Sequence, residues 1–368
     1  MGKAHETILE IDLKALKHNF NFLKSKLQSN TKLLAVVKAF GYGSDANEIA
    51  KYLEELGVDY FAVAYTYEGV ALRDAGIRTP ILVLHPQPVN FKTIIERCLE
   101  PSIYSFNILN AFIGIAEQNN QNNYPIHLKF NTGLNRLGFK TPDVEALISK
   151  VNHSDSIQVK SVFSHLGASE DLNETAYSNN QINSFKAISS EIESKLNYKP
   201  IYHICNTSGI LNYPNAHLDM VRTGIGLYGF GNSEQEDSHF IPVATLKSII
   251  SQIHTIEPGE NVGYNRAFTA NKVMRSATIP IGHADGIGRQ YGNGKGFVTI
   301  NNQPAYILGN VCMDMIMVDV TDIDCQEGDE VIVFGKSPTA VALSKTVNSI
   351  SYEIITAISQ RIKRVYLK

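Results

Sequence analysis

The chain has 368 residues, of which 43% are apolar and 19% charged, with a formal net charge of -3. That is the balance of an ordinary globular protein with room for two domains; it excludes a disordered chain and offers no basic footprint for nucleic acid or an anionic membrane, so a small molecule is the expected partner. Cys98, Cys205, Cys312 and Cys325 are too scattered for a metal cluster and too few to staple the chain, and no run is long enough to span a bilayer, so the expectation is a cytoplasmic protein without a metal site.

The stretch 7–12 alternates in polarity and reads as a strand able to pair with a later sheet, before Leu13 opens a helix. Leu33-Leu34-Ala35-Val36-Val37 is a nearly unbroken apolar run of the kind buried on both faces of a parallel sheet. Lys38 stands at its end. A lysine there either snorkels to water or is kept for its chemistry, because desolvation lets it shed its proton and attack carbonyl compounds such as pyridoxal phosphate (PLP). Gly41-Tyr42-Gly43 then suits a tight turn into a helix at 46–56. Counting 33–38 as the first, apolar runs recur at 60–64, 81–84, 101–104, 126–131, 159–165, 201–206 and 218–222, with helix-like stretches at 67–75, 144–151 and 180–196 among them. About eight β-α units in roughly two hundred residues are the tally of a TIM barrel. A doubly wound sheet, the alternative, predicts a glycine fingerprint after the first strand, which Gly41-Tyr42-Gly43 does not continue.

In such barrels the chemistry gathers at the C-terminal ends of the strands, with phosphate often held by the loops after the last two. The polar residues fall there: Lys38, Lys129, Ser164-His165, Asn206-Thr207-Ser208, and Arg222 running into Thr223-Gly224-Ile225-Gly226, whose small residues leave backbone N–H groups free for an anion.

After Gly231 the texture changes. A polar, acidic stretch at 232–239 reads as a linker, and alternating runs at 243–256, 277–281, 296–300, 305–308, 315–320 and 330–334 predict a mainly antiparallel β domain. One helix at 340–350 and a last strand through Arg364-Val365-Tyr366 close it. The chain thus divides into an α/β TIM barrel at 8–236 and a β-strand domain at 237–368, with 1–7 able to pair with the second.

Six motifs, taken together and in order, resemble the bacterial PLP-dependent alanine racemases: Val36-Val37-Lys38-Ala39 with Tyr42-Gly43; Gly133-Leu134-Asn135-Arg136-Leu137-Gly138-Phe139; Met220-Val221-Arg222 with Gly224-Ile225 and Tyr228-Gly229; Pro258-Gly259-Glu260 with Gly263-Tyr264; Gly282-His283-Ala284-Asp285-Gly286; and Val311-Cys312-Met313-Asp314. The resemblance spans the whole chain. It implies a racemase that interconverts L-alanine and D-alanine, supplying the D-isomer for peptidoglycan, with Lys38 holding PLP and serving as one catalytic base and Tyr264 as the other. Tyr42, Asn206, Thr207, Gly224, Ile225 and Tyr352 would bind the cofactor, chiefly its phosphate, while Arg222 faces the pyridine nitrogen and His165 braces Arg222. Arg136 and the backbone of Met313 would position the substrate carboxylate. Lys129 matches a lysine that is carbamylated in many members. The resemblance further implies a homodimer, because Tyr264 and Met313 would reach across from the second subunit.

Racemisation removes a proton from one face and returns one to the other, so two groups on opposite faces are required, and lysine with tyrosine meets that need. A guanidinium is a donor that stays protonated, so Arg222 would hold the ring nitrogen unprotonated, weakening PLP as an electron sink. Three positions depart from the family's usual pattern: His283 where tyrosine is common, Asn131 where aspartate is common, and Thr207 for serine. The competing readings are a PLP-dependent racemase of another amino acid, a related decarboxylase, a PLP carrier without turnover, and a lysine aldolase without PLP. The β domain bearing Gly263-Tyr264 speaks against the carrier, Arg222 against the decarboxylase, and the phosphate cradle against the aldolase.

Overall fold

In a computed structural model that describes residues 4–368, eight parallel strands form the barrel: β2 (Lys32–Val36), β3 (Tyr60–Val63), β4 (Ile81–Val83), β5 (Glu100–Ile103), β6 (Tyr124–Lys129), β7 (Ile157–Phe163), β8 (Ile201–His203) and β9 (Met220–Thr223), with β1 (Ile8–Asp12) preceding them. Ladders run from β8 through β7 to β2 and on to β9. Two backbone bonds close the remaining seam, Asp219 N–H to Tyr202 O at 3.2 Å and Arg222 N–H to Cys205 O at 3.1 Å. Fully buried residues such as Phe61, Val83 and Leu128 fill the strands, which is why these segments read as continuous apolar runs rather than alternating ones.

A nine-stranded sheet forms the second layer, in the order β11-β14-β17-β16-β15-β18-β10-β1-β19. Its members after the barrel are β10 (Ala244–Ile249), β11 (Gln252–Ile256), β14 (Met274–Ile279), β15 (Phe297–Ile300), β16 (Gln303–Leu308), β17 (Ile316–Asp319), β18 (Glu330–Phe334) and β19 (Lys363–Leu367); a separate ribbon pairs β12 (Asn261–Val262) with β13 (Phe268–Thr269). All its pairings are antiparallel except that of β1 with β19. The pairing segment is therefore Ile8–Asp12 rather than 1–7; residues 1–3 lie outside those described, and Thr7 contributes side-chain bonds to Ser248 Oγ and Pro280 O.

Three local features differ from the sequence reading. The run at 243–256 breaks into two strands at Ile250-Ser251. The stretch 232–239 is a packed element and not a loose linker: it holds a short helix, Glu234–Asp237, and the Glu236 carboxylate is buried among Ser208, Asn212 and the Asn232 N–H. The expected helix at 340–350 stops at Lys345, and a second, Ser351–Thr356, follows beyond that range; between them Asn348 has a φ of 55°, in the left-handed region where a helix cannot continue.

The last strand reaches back to the barrel. Arg364 donates to Gly43 O at 2.8 Å and to the carbonyls of Ile358, Ser359 and Ile362, and its guanidinium stacks over Phe40 at 5.3 Å. Tyr366 Oη donates to Asp45 Oδ2 at 2.8 Å. The C-terminal strand thereby ties down the turn that carries Lys38. Arg364→Ala orphans these half-buried carbonyls and should lower stability by about 2–4 kcal/mol; a denaturant midpoint equal to that of the parent protein would contradict this role.

Candidate active site

Lys38 does not end a strand; it opens a turn. Ala39, Phe40, Gly41 and Tyr42 all have φ between 50° and 60°, a left-handed turn that is unfavourable for the three non-glycine residues by roughly 1 kcal/mol or more each. Hydrogen bonds over-determine it. Gly41 N–H donates to Val37 O and Gly43 N–H to Ala39 O, both at 3.0 Å. The Glu68 carboxylate accepts from Ala39 N–H at 2.7 Å, and from Ala64 N–H and Tyr65 N–H at the start of the next helix. At Gly43 a Cβ would lie 2.0 Å from Ile355 O, so only glycine lets the turn pack on the helix that bears Tyr352.

The turn delivers Lys38 into a cavity of about 600 Å³ at the C-terminal ends of the barrel strands. Most of the expected residues meet there: Tyr42, Lys129, Arg136, His165, Asn206, Thr207, Arg222, Gly224, Ile225 and Tyr352 line it with Lys38. Four of these are basic side chains, and no Asp or Glu lines the cavity among the described residues. Such a wall favours an anionic ligand and disfavours its own protonation. Burial, then Arg136, pushes the Lys38 amine below its ordinary value, with Glu68 opposing. Burial and the charges of Arg222, Arg136 and Lys38 bring Lys129 down to about 7. His165 is held well below the usual histidine value by burial and by Arg222, and is therefore neutral.

Arg222 is almost wholly buried. Its Nη1 donates to His203 Nδ1 at 2.8 Å and to His203 O, and its Nη2 to Ser164 O at 2.6 Å, Ile204 O at 3.0 Å and His165 Nδ1 at 3.2 Å. The Nε–H alone has no acceptor among the described residues. Burial, with Arg136, lowers the guanidinium to about 10, which leaves it charged near neutrality.

Another part of the cavity wall is a cradle. The N–H groups of Gly224 and Ile225 carry no acceptor among the described residues, and a Cβ on Gly224 would lie 2.2 Å from Tyr42 Oη. Tyr42 stacks on Tyr228 at 4.5 Å and stands 6.1 Å from Tyr352. Burial raises Tyr42, and takes Tyr352 up to about 12, so both phenols stay protonated and can donate. Thr207 Oγ1 shares a hydrogen bond of 3.0 Å with Thr223. An amine of lowered proton affinity, unpaired N–H groups beside phenol donors, and a lone guanidinium N–H fit the aldehyde, phosphate and ring nitrogen of PLP respectively.

Tyr264 and Met313 do not join this cavity. They are 73% and 59% exposed and share a second, shallower depression of about 460 Å³ with Gly263, Cys312 and Asp314. The glycine-rich motif buttresses that surface: His283 N–H donates to Cys312 O and Ala284 N–H to Met313 O, while Arg361 bridges the buried Asp285 and Asp314, each at 2.6 Å. Met313 N–H has no acceptor among the described residues. Sequence reasoning missed Glu68, Asn232 and His85 around the main cavity; a glutamate at the third position of a helix, three residues past its N-cap Tyr65, was the available signal for Glu68.

A closed parallel barrel with a desolvated lysine at its first strand and a phosphate cradle at its last defines a PLP-dependent barrel enzyme. Residues 11–231 match the family described as "Alanine racemase, N-terminal domain" and residues 243–366 "Alanine racemase, C-terminal domain". Alanine racemase 2 of Oceanobacillus iheyensis is 35% identical over 100% of this chain and 95% of its own length, and the alanine racemase of Halothermothrix orenii 35% over 98% and 96%. The solved alanine racemase of Clostridium difficile 630 superposes with a TM-score of 0.93 at 34% identity, covering 100% of this chain and 97% of its own; a complex of that protein with cycloserine gives 0.91 at 34%, covering 100% and 96%. The chain belongs to the alanine racemase family of PLP-dependent isomerases.

Glu68 is the negative charge that keeps protons on Lys38, so Glu68→Gln should move the pH midpoint of Lys38's reaction with a small aldehyde, in the PLP-free protein, to lower pH. A midpoint that stays or rises would contradict the assignment.

Proposed function

We propose that two copies of this chain build an alanine racemase site, in which Lys38 of one copy and Tyr264 of the other exchange the α proton of alanine on opposite faces. The observation that carries this reading is the separation just described: Lys38, Arg222 and the phosphate cradle converge in one cavity, whereas Tyr264 and Met313 stand exposed on another surface of the same chain. A tyrosine that must act on a substrate in the cavity has to come from a second copy.

When bound, PLP supplies an electron sink for the pair left behind by the α proton. The chain supplies the rest. Lys38, poor at keeping its proton in this basic cavity, takes or returns the proton on its face. Tyr264 serves the opposite face. Arg136, exposed at the cavity mouth, and the free Met313 N–H of the second copy hold the substrate carboxylate between them. Tyr42, Thr207, Tyr352 and the N–H groups of Gly224 and Ile225 would hold the phosphate, with Asn206 capping the short helix that begins at Thr207. Arg222 Nε–H would face the ring nitrogen and hold it unprotonated, and the neutral His165 accepts from Nη2 and fixes the pose of Arg222. Lys129 has no carboxylate partner among the described residues, and at about 7 it offers the neutral amine that a carbamate requires; the carbamate would restore a negative charge beside Arg136. The product, D-alanine, suits supply of a peptidoglycan precursor.

The reading is tested by incubating L-alanine with the PLP-loaded protein and resolving the enantiomers. D-Alanine should accumulate toward an equal mixture, and Lys38→Ala should abolish it. Bound PLP with no D-alanine would overturn the assignment in favour of another amino acid or a carrier.

A further inference from the structure

The barrel interior holds a row of polar groups that catalysis by Lys38 and Tyr264 does not use. His127 on β6, Ser161 on β7 and His203 on β8 are fully buried, and Glu100 at the start of β5 is nearly so. They form one continuous line. His203 Nδ1 meets Arg222 Nη1 at 2.8 Å, His203 Nε2 meets Ser161 Oγ at 2.9 Å, Ser161 Oγ meets His127 Nδ1 at 2.6 Å, and His127 Nε2 meets Glu100 Oε2 at 2.7 Å. The line climbs across five neighbouring strands, from the N-terminal end of β5 to the guanidinium facing the cavity.

Its direction follows from hydrogen-bond capacity alone. Arginine has donors and no acceptor, so His203 Nδ1 must accept and carries no proton. A neutral His203 then keeps its proton on Nε2 and donates to Ser161 Oγ. The serine hydroxyl has one proton left to give, and His127 Nδ1 is the acceptor in reach. His127 in turn donates from Nε2 to the carboxylate. Every buried donor and acceptor along the line is satisfied in this one sense. The reverse sense would require arginine to accept.

We propose that Glu100 is a remote positioning residue of the active site: the directed chain Arg222 to His203 to Ser161 to His127 to Glu100 locks both imidazoles in the Nε2–H form and so fixes the angle at which Arg222 presents Nε–H to the cavity. The proposal rests on the reading that Arg222 faces the ring nitrogen of PLP. No carboxylate pairs with Arg222 among the described residues, so its buried charge is matched by a buried acid through neutral groups, each polarised by the next. His203 is held well below the ordinary histidine value by burial, then by Arg222, which agrees with its neutrality here. Chemically, the chain lets a fully charged arginine sit beside the cofactor without an acid that would protonate the ring nitrogen.

The test is nitrogen NMR of the PLP-loaded protein with labelled histidine, together with Ser161→Ala, which cuts the chain at its middle, and Glu100→Gln, which keeps an acceptor but removes the charge. His203 and His127 should each show a bare Nδ1 and a protonated Nε2. In Ser161→Ala, His203 Nε2 and His127 Nδ1 lose the serine and their nitrogen signals should shift with both tautomers kept, the visible absorption of bound PLP should shift, and kcat should fall by about tenfold with KM for alanine unchanged. Glu100→Gln should keep both tautomers and move the absorption in the same direction. A doubly protonated His127, a proton on His203 Nδ1, or Ser161→Ala with unaltered nitrogen signals and absorption would overturn the proposal. The underlying reading fails separately: if Arg222→Lys leaves the absorption of bound PLP unchanged while the tautomers are as predicted, the chain stands and the placement of Arg222 at the ring nitrogen does not.

Discussion

The structure turns on a buried positive charge. Arg222 sits inside the barrel with its two Nη groups saturated by Ser164, His165, His203 and Ile204, and with Nε–H as its one donor that meets no acceptor among the described residues. A guanidinium taken out of water is tolerated only when its donors are met, so the backbone carbonyls after β7 and β8 have to point inward at this place. That requirement fixes where the strands end. It also shapes the electrostatics, because burial and then Arg222 lower the proton affinity of both His165 and Lys129. A cavity whose basic groups are unwilling to carry their protons is one in which an amine can react and an anion is welcome.

The second constraint is the left-handed turn after β2. Three non-glycine residues at positive φ will not hold that shape unaided, and the contacts that hold it come from three distant places: Glu68 after β3, Ile355 on the helix before β19, and Arg364 on β19 itself. The lysine turn is thus a joint product of the barrel and the C-terminal strand. This explains why a β domain that contributes little to its own chain's cavity, beyond Tyr352, is nevertheless built into it by β1 and β19.

Much of this was legible in the residues. Parallel barrel strands are buried on both faces, so their apolar runs announced all eight, and polar residues at their ends announced the site. What was less legible depended on tertiary context. The left-handed turn leaves only Gly41 and Gly43 as its signal, since Ala39 and Phe40 would ordinarily avoid it. The break at Asn348 hides in a helical pattern because asparagine alone sets it. Glu236 reads as part of an acidic linker, yet it is buried against Ser208 and Asn212. His127 and His203 stand within or at the ends of apolar runs and look like isolated core histidines; only the register of β6, β7 and β8 brings them to one serine. The depression holding Tyr264 could be placed in the β domain from its motif, whereas its distance from Lys38's cavity needed the fold.

The central claim, that one working site takes residues from two copies, is tested most directly by mixing variants. Lys38→Ala and Tyr264→Phe should each be inactive alone. After subunit exchange at equal amounts, half of the dimers are mixed, and each mixed dimer has one site with both residues intact and one with neither, so about a quarter of the parent activity should return. If exchange is verified with two different tags and the mixture stays as inactive as either variant, the site does not combine Lys38 and Tyr264 from different copies, and the account fails at its centre.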